Sequence, residues 1–411
     1  MGDRDPRSRM DDLRHRTDVR VKRPQFNLLS RFPLLIGLLF ALPSVTVAQE
    51  AALTGDIVAR AEPTPRTADA AAGNRREGLI GRTRSARRAG GTGRSGSAFM
   101  RPPSLPSVAD MTNTEWFIST RGFKQHWEND NGRYGYCVYA RENGTLRASS
   151  IEEMTSVLRA DRPTVVFVHG SYVDFPWYER ESRVTSSWLS APRPNDGLQM
   201  IYFTWPSDDE TCLFSPAVRR LEQQAEFNAF VLADVVSQLP VCPADGGRLT
   251  LMGHSHGAMM STAAMHLLNG GIIRERRSAA RVNHRPALIL AAAAMDRDWL
   301  EPAVRKNRYL STARWTGAGR YDRAIHLTST IVLITNRLDA ALLAYPARRP
   351  LAKEAVGRVG LRCVDRRALG SSLAKIQRID VTHILKFRHT WPHYVQRPDI
   401  AARIAPVIFG H

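Results

Sequence analysis

The chain is poor in cysteine: four in 411 residues, Cys137, Cys212, Cys242 and Cys363, far apart and with no CxxC pair. That spacing excludes a structural zinc site built on paired cysteines and excludes a dense disulfide framework. Isolated, partly buried thiols are expected, with at most one disulfide if the protein is exported. Long apolar runs are also scarce. The stretch that comes nearest, residues 32–47, has 16 residues, short for a spanning helix. No internal repeat is evident, and no basic cluster is interleaved with aromatics or carries zinc-finger spacing. The formal charge of +19 therefore stands alone as a nucleic-acid signal, and no nucleic-acid partner is expected. Its distribution supports that reading. Residues 1–101 hold 19 Lys and Arg against 10 Asp and Glu, while the other 310 hold 39 against 29, a mild excess spread along the chain.

What is present divides into three parts. Residues 1–48 place a basic segment (Arg20, Lys22, Arg23, Arg31) before the apolar stretch, which contains the helix breaker Pro43 and ends near Ala48. This is the pattern of a signal peptide cleaved after Ala48, or of an uncleaved N-terminal anchor. Initiation at Met10 would shorten its long basic lead. Export or membrane anchoring through residues 32–48 is expected, with cytoplasmic residence as the alternative. Residues 49–110 are rich in Ala, Arg, Gly and Ser and can bury little, so a disordered tether is expected. Its arginines offer contact with a membrane or envelope polymer. Residues 111–411 form the folded domain.

In that domain, apolar runs rich in β-formers alternate with helical patterns. Strands are expected at 116–120, 136–140, 164–169, 200–205, 249–252, 287–294, 331–335 and 376–381, the first two as a hairpin. Helices are expected at 216–239, 258–268 and 399–409. Strands that are apolar throughout and separated by helices imply a mostly parallel sheet covered on both faces. Eight such strands, with a serine turn after the fifth, follow the α/β-hydrolase plan.

The serine turn is Gly253-His254-Ser255-His256-Gly257, set between a strand and a helix. This is a nucleophile elbow in form. Small residues at Gly253 and Gly257 let strand and helix approach while the serine holds a strained conformation. A serine hydroxyl needs a base within hydrogen-bond reach and an acid to orient that base. In this plan they follow in the order serine, acid, histidine. Asp339, four residues beyond the seventh expected strand, is the first candidate acid, with Asp296 after the sixth as the alternative. Among the histidines after the last strand, His383 lies too near the strand end and should pack there. His389 is the first candidate base, since Trp391 and Tyr394 can lock its loop. His393, after Pro392, is the alternative.

A tetrahedral intermediate also needs two donors for its oxyanion. One is expected from the backbone N–H of His256. The other should come from Ser171 or Tyr172, after the third expected strand, where Gly170 admits close backbone approach. His254 and His256 superficially suggest a metal pair. Neighbours of a sharply turned residue point to different sides, however, and no carboxylate accompanies them, so neither a metal nor a cofactor is expected. The 171–194 segment, with Tyr172, Phe175, Trp177, Tyr178 and Trp188, reads as an aromatic loop near the pocket, a candidate acyl site or simply packing.

Seven pieces in order, Phe117-Ile-Ser-Thr-Arg121, Val166-Phe-Val-His-Gly170, Phe203-Thr-Trp-Pro-Ser207, Gly253-His-Ser-His-Gly257, Ala291-Ala-Ala-Ala-Met-Asp296, Thr335-Asn-Arg-Leu-Asp339 and Asp380-Val-Thr382, give residues 113–411 a family likeness. They resemble a bacterial α/β-hydrolase family of unknown function, esterase- and lipase-like. The resemblance implies a triad of Ser255, Asp339 and His389. It leaves the substrate open. The leading expectation is a serine hydrolase that cleaves a small ester or thioester through an acyl-enzyme. The alternatives are a catalytically silent domain serving as a tethered binding module, and a peptidase or amidase on the same residues.

Overall fold

The computed structural model describes residues 115–123, 135–208, 215–245, 248–303, 318–348 and 352–410. The expected signal or anchor, the tether and Cys212 lie outside them. Nine strands form one sheet: β1 Glu115–Ser119, β2 Cys137–Glu142, β3 Thr145–Ser149, β4 Pro163–Val168, β5 Gln199–Thr204, β6 Arg248–His254, β7 Ala287–Ala291, β8 Ile331–Thr335 and β9 Ile376–Asp380. Their order across the sheet is β3-β2-β1-β5-β4-β6-β7-β8-β9. β2 runs antiparallel to β1 and β3, and all other pairs are parallel. The sheet thus has one strand more than the eight expected, and the serine turn follows the sixth in chain order. The extra strand is β3, Thr-Leu-Arg-Ala-Ser, an edge strand exposed at three of its five positions. An edge strand needs no apolar run, so the sequence gives no hydrophobic signal there.

β7 and β8 are buried at every position. The alternation of side chains divides their residues between two cores. Val166, Val168, Leu288, Leu290 and Leu333 pack on one face of the sheet, while Val165, Phe167, Ile289, Val332 and Ile334 pack on the other. The long helices cover those faces: α1 Phe175–Ser190, α2 Ser215–Gln238, α3 His256–Leu268 and α4 Pro398–Phe409. Buried residues of α2 and α3 join the first core, and those of α1 and α4 the second. Each fully buried Leu, Ile or Phe contributes about 1.5–3 kcal/mol of transfer free energy, so both faces are strongly held.

Helix α1 corrects the loop expected at 171–194. Asp174 caps it by accepting from the Trp177 N–H at 2.7 Å, and a proline occupies its first turn. Its buried stripe is Tyr178, Ser182, Thr185, Trp188 and Leu189. The two small hydroxyl residues interrupt the apolar periodicity that would have marked it as a helix. Tyr178 and Trp188 are core residues rather than an acyl site. Cys137 and Cys242 are half-buried and Cys363 is exposed; all three are free thiols. Among the described residues, no helix is long and apolar enough to cross a membrane.

Candidate active site

The site is organised by the turn between β6 and α3. Ser255 has φ 55°, a left-handed value that costs a serine conformational energy and must be imposed by its surroundings. Two backbone bonds impose it. The Ser255 N–H donates to the Ala291 carbonyl at 2.9 Å, and the Ser255 carbonyl accepts from the Ala294 N–H at 3.1 Å. A Cβ on Gly253 would meet the Gly257–Ala258 backbone at under 3.0 Å, and one on Gly257 would meet the Val168 and His169 carbonyls as closely. Those glycines are therefore a steric requirement of strand–helix approach. A Cβ on Gly170 would come within 2.9 Å of His254 Nδ1 and 3.1 Å of Ser255 Cβ, so the loop after β4 lies directly against the serine.

The histidine and the acid arrive from two other loops. His389 Nε2 lies 3.2 Å from Ser255 Oγ, and its Nδ1 lies 2.7 Å from Asp339 Oδ2. Asp339 is fully buried. Its other oxygen, Oδ1, accepts from the Leu342 N–H at 2.9 Å, capping the short helix Ala340–Ala344. An ionised carboxylate accepts at both oxygens, and here both are used. Asn336 braces the histidine loop by donating from Nδ2 to the carbonyls of Lys386 at 2.7 Å and Arg388 at 3.0 Å. Behind the loop, Trp391 and Tyr394 are buried with their rings stacked at 5.6 Å.

The two histidines beside the serine diverge. His254 Nε2 lies 2.8 Å from the His389 carbonyl. A carbonyl only accepts, so Nε2 carries the proton. His256 Nδ1 lies 2.7 Å from Ser171 Oγ, and its Nε2 is buried without a partner among the described residues. A buried lone pair is less costly to leave unpaired than a buried N–H, which favours the tautomer with hydrogen on Nδ1. Burial pushes both imidazoles down to about 3; the charge of His389 adds to this at His254, and that of Arg348 at His256. Both are thus neutral near pH 7. No group of three or more potential metal ligands lies together among the described residues.

The remaining sequence candidates stand elsewhere. Asp296 is fully buried in an ion pair with Arg348, which also pairs with Glu222 at 3.2 Å; it has no bond to His389 among the described residues. His393 sits in the short helix Pro392–Val395, with Nδ1 buried and unpartnered among the described residues. His383, expected to pack at the strand end, is exposed, because the chain has already turned outward there. Tyr172 is corrected as an oxyanion donor: its N–H is taken by the Ser207 carbonyl at 2.8 Å. The N–H groups of Ser171 and His256 have no acceptor among the described residues. Sequence reasoning missed the bracing roles of Asn336 and His254. Their partners are main-chain carbonyls far away in the chain, which leave no sequence signal.

Several solved structures resemble this chain. The product of gene lin2722 from Listeria innocua is 10% identical, with a TM-score of 0.33 over 60% of this chain and 93% of that one. An acetyl xylan esterase is 18% identical, with a TM-score of 0.30 over 61% and 99%. The type II thioesterase YbtT of the yersiniabactin pathway is 16% identical, with a TM-score of 0.27 over 60% and 94%. No curated protein matches. The family described as "Alpha/beta hydrolase of unknown function (DUF900)" matches residues 147–381, more than half of the sequence, and the chain belongs to that family.

Proposed function

We propose that the protein is a serine hydrolase that cleaves an ester or thioester through an acyl-enzyme on Ser255. The observation that carries this reading is the position of the His389 imidazole, 3.2 Å from Ser255 Oγ on one side and 2.7 Å from Asp339 Oδ2 on the other. In the first half-reaction, Ser255 Oγ bonds to the substrate carbonyl carbon as its proton passes to His389 Nε2. The imidazolium that forms is stabilised by the buried Asp339 carboxylate, which keeps its own charge. His389 then gives the proton to the departing alcohol or thiol, and the acyl group stays on Ser255. In the second half-reaction, a water attacks the acyl carbon, gives its proton to His389, and the acid product leaves as Ser255 regains its hydrogen. The backbone N–H groups of His256 and Ser171 serve the oxyanion of both tetrahedral intermediates. The neutral state of His254 and His256 keeps like charge away from the His389 imidazolium.

A fluorophosphonate probe applied to the full chain tests the reading. Wild type should become labelled and Ser255→Ala should not. An unlabelled wild type would overturn the hydrolase reading in favour of a silent binding domain.

A further inference from the structure

Two loops at the mouth of the site carry an unusual surface. Phe387 is 68% exposed, Leu343 53% and Leu338 44%. The segments that carry them lie side by side. The Ala340 N–H bonds the Phe387 carbonyl at 3.4 Å, Asn336 holds the main chain on both sides of Phe387, and Leu343 follows Asp339 by one helical turn. Lys386 adopts φ 53° at the end of the short helix Thr382–Leu385, and this left-handed turn leads the chain outward into Phe387. Cations surround the patch. Lys386, Arg388 and Arg337 are all exposed. Lys386 and Arg388 have no acidic partner among the described residues. The carboxylate of Asp380 is already shared between Arg337 and Arg378.

Exposed large apolar groups bordered by cations, two of them without an acidic partner among the described residues, match one kind of partner well. The apolar side chains gain by entering a hydrocarbon layer, and the cations gain from anionic headgroups at its boundary. We propose that this rim, Leu338, Leu343 and Phe387 ringed by Arg337, Lys386 and Arg388, docks on an anionic lipid surface. The loops that form the rim also carry Asp339 and His389, so docking sets the site against molecules held in that surface. Resting on the hydrolase reading above, the substrate class is then an ester with an apolar acyl chain presented at an anionic interface.

The test needs no turnover, so it can fail independently of the hydrolase reading. The full chain carrying Ser255→Ala is mixed with vesicles of phosphatidylcholine alone, or of phosphatidylcholine with phosphatidylglycerol, each with brominated acyl chains. Phe387→Trp in that background places a quenchable group at the rim, and Leu343→Trp is a second reporter should the first disturb the loop. With anionic vesicles, the introduced tryptophan should be quenched beyond the parent's own signal. Adding Lys386→Ala with Arg388→Ala should raise the half-saturating lipid concentration about thirtyfold. The result that would overturn the proposal is an absence of excess quenching in both reporters, equal quenching by neutral vesicles, or indifference to the charge substitutions. The last outcome would leave any contact to the apolar side chains alone and remove the anionic surface as the partner.

Discussion

His254 Nε2 lies 2.8 Å from the main-chain carbonyl of His389, so the residue before the proposed nucleophile holds the backbone of the proposed base. The rings stand 5.0 Å apart. One strand end therefore fixes both members of the proposed reacting pair: Ser255 through the chain itself and His389 through a hydrogen bond. His254→Ala removes the donor and leaves Ser255, Asp339 and His389 chemically intact. We expect kcat to fall about a hundredfold with KM little changed, because a shift of about 1 Å in a base is costly. His254→Gln keeps an N–H donor and should recover much of the loss. Equal loss in both variants would assign His254 to packing alone.

The two carboxylates expected at the acid position should separate cleanly. Asp339→Asn should lower kcat about ten-thousand-fold, since an amide there favours the wrong imidazole tautomer. Asp296→Asn should instead weaken folding, by about 3 kcal/mol in urea titrations, because it leaves the buried Arg348 short of a partner. Its residual activity per folded molecule should stay near wild type. The opposite ranking would exchange their roles.

Gly257→Ala should be far more damaging than its one added methyl suggests. The new Cβ would run into the Val168 and His169 carbonyls, main chain at the end of β4 that cannot swing aside as a side chain would. About 3 kcal/mol of lost stability is expected, read as a lower urea midpoint with unchanged m-value.

Acid should destabilise the fold through the two histidines that flank Ser255. Their folded pKa values of about 3 lie below the ordinary 6.5, so the unfolded chain binds protons more readily. Stability is then full above pH 6.5 and falls as the pH drops from 6.5 toward 3. At pH 5 each should have lost about 2 kcal/mol. Urea midpoints at pH 7 and pH 5 measure this, and replacing both histidines by glutamine should flatten the difference.

Much of the site was legible because its constraints act on residue type. Gly253 and Gly257 announce a backbone collision, and Asp339 lies at the expected remove from its strand. His389 precedes the aromatic residues that pin its loop. What was not legible depends on partners rather than on types. Tyr172 loses its role because the Ser207 carbonyl takes its N–H. The edge strand β3 has little to bury, and α1 hides behind Ser182 and Thr185. The roles of Asn336 and His254 consist of bonds to main-chain carbonyls, which any residue supplies.

The main chain of Ser255 is bonded on both sides to the exit of β7, at Ala291 and Ala294. The proposed nucleophile is thus bonded into the sheet's frame, while Leu338, Leu343 and Phe387, on the segments at 337–343 and 386–388, are exposed and lie outside both cores. Such a division makes the protein evolvable: under the proposed docking, substitutions at Leu338, Leu343 or Phe387 would retune which molecules are delivered without re-solving the alignment of Ser255, His389 and Asp339. A library randomised at those three positions should therefore retain folded, fluorophosphonate-reactive members in high proportion, whereas one randomised at Ala291, Ala292 and Ala294 should not.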